Sequence, residues 1–239
     1  GTTWLRSLLA SSPAVSVYGE FLHPDIFDWG FFGYWQGRVL SGTSTVSPEH
    51  MREAMVDYLR CFDPPAPKQV AVLDMKLEQL RSVHYVFPAM YYSGAKVIVL
   101  QRRNLLKQVV SEAVMYARQA QKDAPPVHSE AVPPVTRVRI EPQDLILRMK
   151  NKRDIPEEYL QHVRGCGTPH VILTYEEVAA APQVAADMLF DFMGVPRVRV
   201  TSVLKKQNPH PISDILLNFA EVRSALRGGE FEKMLHLPS

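Results

Sequence analysis

Val97-Ile98-Val99-Leu100-Gln101-Arg102-Arg103-Asn104 is a short, β-branched apolar run that stops abruptly at polar and basic residues. Leu106, Val109, Val110, Ala113, Val114 and Ala117 follow at three- and four-residue steps, the spacing of one helix face. A strand too apolar to face water on one side, leading straight into an amphipathic helix, is a unit of a parallel sheet covered on both faces. We read this strand as Lys96 to Leu100, and similar runs at Val15 to Tyr18, Val70 to Lys76 and Val171 to Thr174 as further strands. Between them, Met51, Ala54, Met55, Tyr58, Leu59 and Phe62 predict a helix capped by Ser47 with Pro48 at its first position. Another is predicted around Val184 to Met193, stopped by Gly194 and Pro196. The expected class is α/β, with a parallel sheet flanked by helices.

The chain has 239 residues, about 1.6 times a domain length of roughly 150, which suits one sizeable core. One domain over residues 1–239 is expected. Hydrophobic residues make up 46% and charged residues 22%, ordinary globular values that exclude a disordered chain, a coiled coil or a collagen-like fibre. Lys and Arg (27) nearly balance Asp and Glu (25), so there is no whole-molecule field of the kind a general nucleic-acid binder uses. Any anion site must be local. Cys61 and Cys166 are the two cysteines, too few for a disulfide framework or a four-cysteine zinc site, and they read as buried thiols. There is no apolar run of about 18 residues to span a membrane and no signal-peptide pattern at the start.

In parallel sheets, ligands bind beyond the carboxyl ends of the strands. Here those positions are polar: Glu20 follows the first run, Lys76 ends the second, Arg102 and Arg103 follow the third, and Tyr175 and Glu176 the fourth. Each alone is an ordinary exposed strand end, but together they define one edge. Two stretches read as irregular. Asp123 to Pro142 carries Pro125, Pro126, Pro133, Pro134 and Pro142 and predicts a long extended loop. Pro24 to Gly42 interleaves Phe27, Trp29, Phe31, Phe32, Tyr34 and Trp35 with glycine. It is either an aromatic cluster packed over the sheet or, because it follows Glu20, an acceptor pocket or lid.

Gly1-Thr2-Thr3-Trp4-Leu5-Arg6-Ser7-Leu8-Leu9 opens a helix with small hydroxyl residues, where backbone N–H groups and the helix dipole favour a phosphate. It lacks the Gly-x-x-x-x-Gly-Lys-Ser/Thr of a nucleoside triphosphatase. Arg103 lies eight residues before Ser111, roughly 12 Å along a continuous helix. An extended arginine and the hydroxyl could converge on one phosphate across that gap.

Gly1-Thr2-Thr3-Trp4-Leu5, then Arg103 with Ser111 after an apolar strand, then Thr174-Tyr175-Glu176-Glu177-Val178 followed by Phe192-Met193-Gly194-Val195-Pro196 occur in the order seen in sulfotransferases that use 3′-phosphoadenosine 5′-phosphosulfate (PAPS). The resemblance spans most of the chain. Arg102-Arg103-Asn104-Leu105-Leu106-Lys107-Gln108 and Lys206-Gln207-Asn208-Pro209 look like the bacterial and carbohydrate branch of that family. The resemblance implies a P-loop-type sheet in a single domain, with Gly1, Thr2 and Thr3 on the 5′-phosphosulfate and Trp4 stacked on adenine. It further implies Arg103 and Ser111 on the 3′-phosphate, Tyr175 facing the adenine and Lys206 as a further phosphate contact. The family loop carries a Lys or Arg just before Ser-Gly-Thr. The expectation is that this residue and the first strand lie upstream of Gly1.

Sulfonate transfer to a hydroxyl needs a base for the acceptor proton and positive groups for the bridging oxygen as adenosine 3′,5′-bisphosphate leaves. Tyr18-Gly19-Glu20-Phe21-Leu22 resembles the Gly-Glu segment that supplies the base, so Glu20 is the candidate, with His23 the alternative. Lys76 resembles the strand-end lysine that faces the transferring group. The eight histidines show no ligand spacing, and no metal is expected. The expected partner is a small-molecule or glycan acceptor: a sugar or glycolipid hydroxyl first, then a phenol or lipid alcohol, and a tyrosyl peptide last. Nucleic acid is not expected. The bacterial-like sequence implies a cytoplasmic protein, or a Golgi-lumen one if an N-terminal anchor precedes Gly1. Two rivals remain: a non-catalytic nucleotide-binding or interaction protein of the same fold, and a P-loop kinase, disfavoured without Gly-Lys-Ser/Thr.

Overall fold

The computed structural model describes residues 1–44, 47–62, 67–80, 83, 85–120, 135–202 and 210–237. In chain order the elements are α1 (Thr2–Leu9), β1 (Val15–Glu20), α2 (Phe31–Leu40), α3 (Pro48–Cys61), β2 (Val70–Asp74), α4 (Leu77–Leu80), α5 (Val86–Ser93) and β3 (Val97–Gln101). They continue with α6 (Leu105–Gln119), α7 (Pro142–Gly165), β4 (His170–Thr174), α8 (Tyr175–Ala180), α9 (Pro182–Met193), α10 (Ile212–Ile215), α11 (Phe219–Leu226) and a 3-10 turn at Glu232–Leu235. The fold is α/β. β1 pairs in parallel with β2, and β3 in parallel with β4, so among the described residues the ladders are two parallel pairs instead of one continuous sheet.

The chain forms two compact units, Gly1–Gln101 with Glu157–Ser202, and Arg102–Pro156 with Val203–Ser239. The boundary within α7 falls at Pro156, whose ring nitrogen cannot donate the usual helical hydrogen bond.

The first unit holds all four strands. Leu5, Leu8 and Leu9 of α1 and Leu189 and Phe190 of α9 form one core cluster with Val15 and Leu173, against which Val17, Val70, Val72, Ile98 and Leu100 pack. Phe31, Trp35, Met55, Tyr58, Phe87 and Met90 form a second cluster, joined by Leu73 and Met75. Alternate residues of β2 thus reach different clusters, as the two-residue period of a strand requires.

The register of β1 decides where the site residues go. Val15, Ser16 and Val17 pair with Val70, Ala71 and Val72, but Glu20 pairs with Asp74. One extra residue is therefore accommodated at Tyr18-Gly19, a β-bulge. In a regular strand Glu20, three residues beyond Val17, would face the opposite side. The bulge brings it onto the side that carries Asp74.

The second unit is helical among its described residues. Leu106, Val109, Val110 and Val114 of α6, with Leu145, Met149, Ile215, Val222, Leu226 and Phe231, form its core, and Val138 makes one parallel bridge to Leu216.

The strand readings fall within a residue or two of the observed strands; β2 ends at Asp74 and leaves Lys76 two residues beyond it. Residues 24–42 are not irregular throughout, since Phe31–Leu40 is helical. The glycines there permit close backbone approach: a Cβ on Gly33 would lie 1.8 Å from the Phe27 carbonyl oxygen, and one on Gly30 2.2 Å from that of Ile26. Phe31 and Trp35 are buried, which makes them core; Phe27 is exposed. Cys61, at the solvent-facing end of α3, is exposed and Cys166 half-buried, and both are free thiols. Of the Pro-rich loop, residues 123–134 lie outside the described residues. Among the described residues no helix is long and apolar enough to cross a membrane.

Burial also sets an alkaline limit to stability. Tyr85 is pushed up from 10.0 to about 12 by desolvation, and Tyr58 is raised by the same cause. Their hydroxyls donate to Met51 Sδ and to the Trp29 carbonyl. Above pH 10 the unfolded chain releases these protons while the folded chain keeps them, so stability holds below about pH 10 and falls as pH rises toward 12. Urea midpoints should drop between about pH 9 and 11, less steeply in Tyr85→Phe; equal midpoints contradict this.

Candidate functional site

Lys76 is the centre of the polar edge. Its Nζ donates to Thr2 Oγ1 and to Asp74 Oδ2, each at 2.6 Å, and lies 3.7 Å from Glu20 Oε1. Asp74, with only 5% of its side chain exposed, is also 3.6 Å from Arg6 Nε. Arg6 Nη1 donates to the Tyr18 carbonyl at 2.6 Å, an oxygen in the bulge of β1. Gln79 completes the group, its Nε2 donating to Glu20 Oε2 at 2.9 Å.

Local sequence explains each position. Thr2 is the first residue of α1, capped by Gly1 with no side-chain cap bond, so a hydroxyl sits in the turn where the helix dipole favours negative charge. Asp74 ends β2 and Lys76 lies two residues later, so their side chains leave the chain on the same side. Glu20 joins them through the bulge.

Gly1, Trp4 and Tyr175 form an adjoining group. The Trp4 and Tyr175 rings lie 5.8 Å apart at 59°, and a Cβ on Gly1 would fall 2.9 Å from Tyr175 Cδ2 and 3.3 Å from Leu100 Cδ2. No larger residue fits at Gly1 without moving Tyr175. Tyr175 is the first residue of α8, whose start is held where Thr174 Oγ1 accepts from the Glu177 N–H and the Glu177 carboxylate accepts from the Thr174 N–H. This is a reciprocal capping box.

Within the first unit, then, Gly1, Thr2, Trp4, Glu20, Lys76 and Tyr175 gather at the carboxyl ends of the strands, with Thr3 on the same first turn of α1. Arg103 and Ser111 belong to the second unit. Arg103 is exposed just before Asn104, which caps α6 through a bond from the Lys107 N–H, and Ser111 is half-buried on that helix. The helix runs unbroken from Leu105 to Ser111, with Arg103 outside its cap. Lys206 lies outside the described residues. His23, the alternative base, accepts from the Asp25 N–H through Nδ1 in a local turn.

Arg6, Asp74 and Gln79 did not emerge from the sequence reading. Only Gln79 had a legible signal: it stands three residues after Lys76, at the helix position from which Gln can bond back to the cap. Trp29 is also near, its ring 3.7 Å from where a Gly19 Cβ would lie. Among the described residues no cluster of three or more His, Cys, Asp or Glu is arranged to hold a metal ion.

Chemically, the quartet of Arg6, Lys76, Asp74 and Glu20 sums to zero formal charge. It offers one ammonium aimed at a helix N-terminus and one third-exposed carboxylate beside it, a pairing able to stabilise a developing anion and accept a proton.

No protein-family model matches the chain, and no curated protein matches it. Among solved structures it is similar to the crystal structure of a sulfotransferase from Alicyclobacillus acidocaldarius, at 15% identity and a TM-score of 0.49, covering 100% of this chain and 92% of that one.

Asp74 is the buried member of the quartet. Asp74→Asn should cost about 1.5–3 kcal/mol, the scale of a buried hydrogen bond to a charged group, because it removes the charge that Arg6 and Lys76 both face. Glu20→Gln, at a third-exposed carboxylate, should cost under about 1 kcal/mol. Urea unfolding of the two variants checks the ordering; equal losses would contradict it.

Proposed function

We propose that this protein transfers a sulfonate group from PAPS to a hydroxyl acceptor, most readily a carbohydrate or glycolipid. The observation that carries the reading is that Lys76 Nζ lies 2.6 Å from Thr2 Oγ1 and 3.7 Å from Glu20 Oε1. Three residues from three elements of the chain, each picked out by its resemblance to a sulfotransferase segment, meet at one point.

In this reading the first turn of α1, Gly1 to Thr3, holds the 5′-phosphosulfate end through backbone N–H groups and hydroxyls. Gly1 fits that role because a side chain there would collide with Tyr175. Trp4 and Tyr175 supply aromatic surface for the adenine, and Arg103 and Ser111 bind the 3′-phosphate, with Lys206 a further contact. Glu20 takes the proton from the acceptor hydroxyl as its oxygen forms a bond to sulfur. The bond from sulfur to the phosphate oxygen breaks, and adenosine 3′,5′-bisphosphate leaves with the electron pair. Lys76 stabilises the charge that gathers on that oxygen. Fixed N–H and ammonium donors suffice for a sulfonate, which carries less charge than a γ-phosphate.

A non-catalytic binding protein of the same fold would keep the nucleotide site without turnover, so binding and transfer are to be measured separately. Adenosine 3′,5′-bisphosphate should bind more tightly than adenosine 5′-phosphate, by about tenfold or more for a phosphate held by a charged fork, and Arg103→Ala should remove the difference. Equal affinities for the wild-type protein would overturn the reading. Glu20→Gln should lower turnover by about 10²–10⁴-fold, the usual scale of general-base catalysis, with bisphosphate affinity retained. Undiminished turnover would remove Glu20 as the base.

A further inference from the structure

We infer that Gln79 is a positioning residue that holds Glu20 in the orientation needed to accept a proton beside Lys76; the inference rests on the sulfonate-transfer reading. Gln79 makes two side-chain bonds that fix its amide completely. Its Oε1 accepts from the Lys76 backbone N–H at 3.0 Å, and its Nε2 donates to Glu20 Oε2 at 2.9 Å. Only one orientation of the amide satisfies both partners, because the Lys76 N–H can only donate and an ionised carboxylate can only accept. The reversed amide would set N–H against N–H and oxygen against oxygen.

This geometry divides the two oxygens of Glu20. Oε2 is taken by Gln79, while Oε1 faces Lys76 Nζ at 3.7 Å. A third-exposed glutamate would otherwise sample several rotamers. Held by Gln79, it presents one oxygen toward the ammonium and the first turn of α1. The base and the lysine are thereby set in register by one side chain, since Gln79 grips the backbone of Lys76 and the carboxylate of Glu20 together.

The competing explanation is that Gln79 only caps α4. The Oε1 bond to the Lys76 N–H, together with the Gln79 N–H donating to the Lys76 carbonyl at 3.0 Å, is what such a cap requires. The Nε2 bond to Glu20 adds nothing to the cap, and a glutamate would cap equally well. Gln79→Glu therefore separates the two roles: it keeps the acceptor for Lys76 but sets a carboxylate against Glu20. Gln79→Met removes both bonds at similar length.

The test measures kcat, KM for PAPS, adenosine 3′,5′-bisphosphate affinity and Tm for the wild-type protein, Gln79→Met, Gln79→Glu, Glu20→Gln and the Glu20→Gln/Gln79→Met double variant, with octyl β-glucoside and 4-nitrophenol as acceptors. Gln79→Met should lower kcat about tenfold or more, the scale of one hydrogen bond to a charged group, with KM for PAPS and bisphosphate affinity within about twofold of wild type. Gln79→Glu should not restore kcat, and Gln79→Met should add no further loss in the Glu20→Gln background. Restoration of kcat by Gln79→Glu, an equal loss from Gln79→Met with and without Glu20, or lost bisphosphate binding would each overturn the positioning role while leaving the function reading intact. Absence of transfer by the wild-type protein to either acceptor would overturn the function reading and the inference with it.

Discussion

The Asp74 carboxylate is the constraint on which the polar edge depends. With 5% of its side chain exposed, it is stable only if charged neighbours offset its lost hydration. Lys76 and Arg6 do so from different elements: Lys76 from the turn after β2, Arg6 from the middle of α1. The pairing fixes the rotation of α1 about its own axis. Arg6 must reach inward over the end of β2, which leaves Leu5, Leu8 and Leu9 on the apolar core and turns Thr2 toward Lys76. A neutral residue at position 74 would let α1 pack by its apolar face alone, with nothing to set the first turn against the lysine.

The bulge in β1 belongs to the same arrangement. It exposes the Tyr18 carbonyl to Arg6 and moves Glu20 onto the face of Asp74. A carboxylate close to another carboxylate is unfavourable unless cations stand between them. Lys76 stands there, bonded to Asp74 and within ion-pair distance of Glu20. Gln79 adds a neutral donor on the far oxygen of Glu20. Each group in the cluster thus has a partner that compensates it, so the site is held in shape before any ligand arrives.

The strands and the helices α3, α6 and α9 were legible because their signals are periodic. β1 to β4 are β-branched runs bounded by polar residues, and α3, α6 and α9 repeat apolar residues at helical spacing. Phe31–Leu40 was not legible as a helix, because glycine in an aromatic segment suggests a turn, whereas Gly30 and Gly33 serve close backbone packing. Of the site, Glu20 and Lys76 could be picked out by their place at strand ends, and Tyr175 by its place after Thr174. Arg6 and Asp74 could not. Their importance lies in a mutual distance across the fold, and a single arginine in a helix or aspartate in a strand carries no periodic signal. The β-bulge was equally hidden, since register is a property of two strands and not of either sequence alone.

The charge balance gives the site a particular character. Arg6 and Lys76 are matched by Asp74 and Glu20, so the quartet has no formal excess of positive charge with which to draw in an anion. This mirrors the whole chain, where 27 basic residues nearly offset 25 acidic ones. Attraction at the quartet must therefore come from directed donors, namely the first turn of α1 and the ammonium of Lys76, both effective over a few ångströms and weak beyond. A site built this way discriminates by fit more than by charge. An anion gains from Lys76 only by reaching the point where Thr2 Oγ1 and Asp74 now share it, and at that point Glu20 stands within ion-pair distance of the same ammonium. The ammonium and the carboxylate are thus confined to one place, so a ligand bound elsewhere on this edge would meet neither.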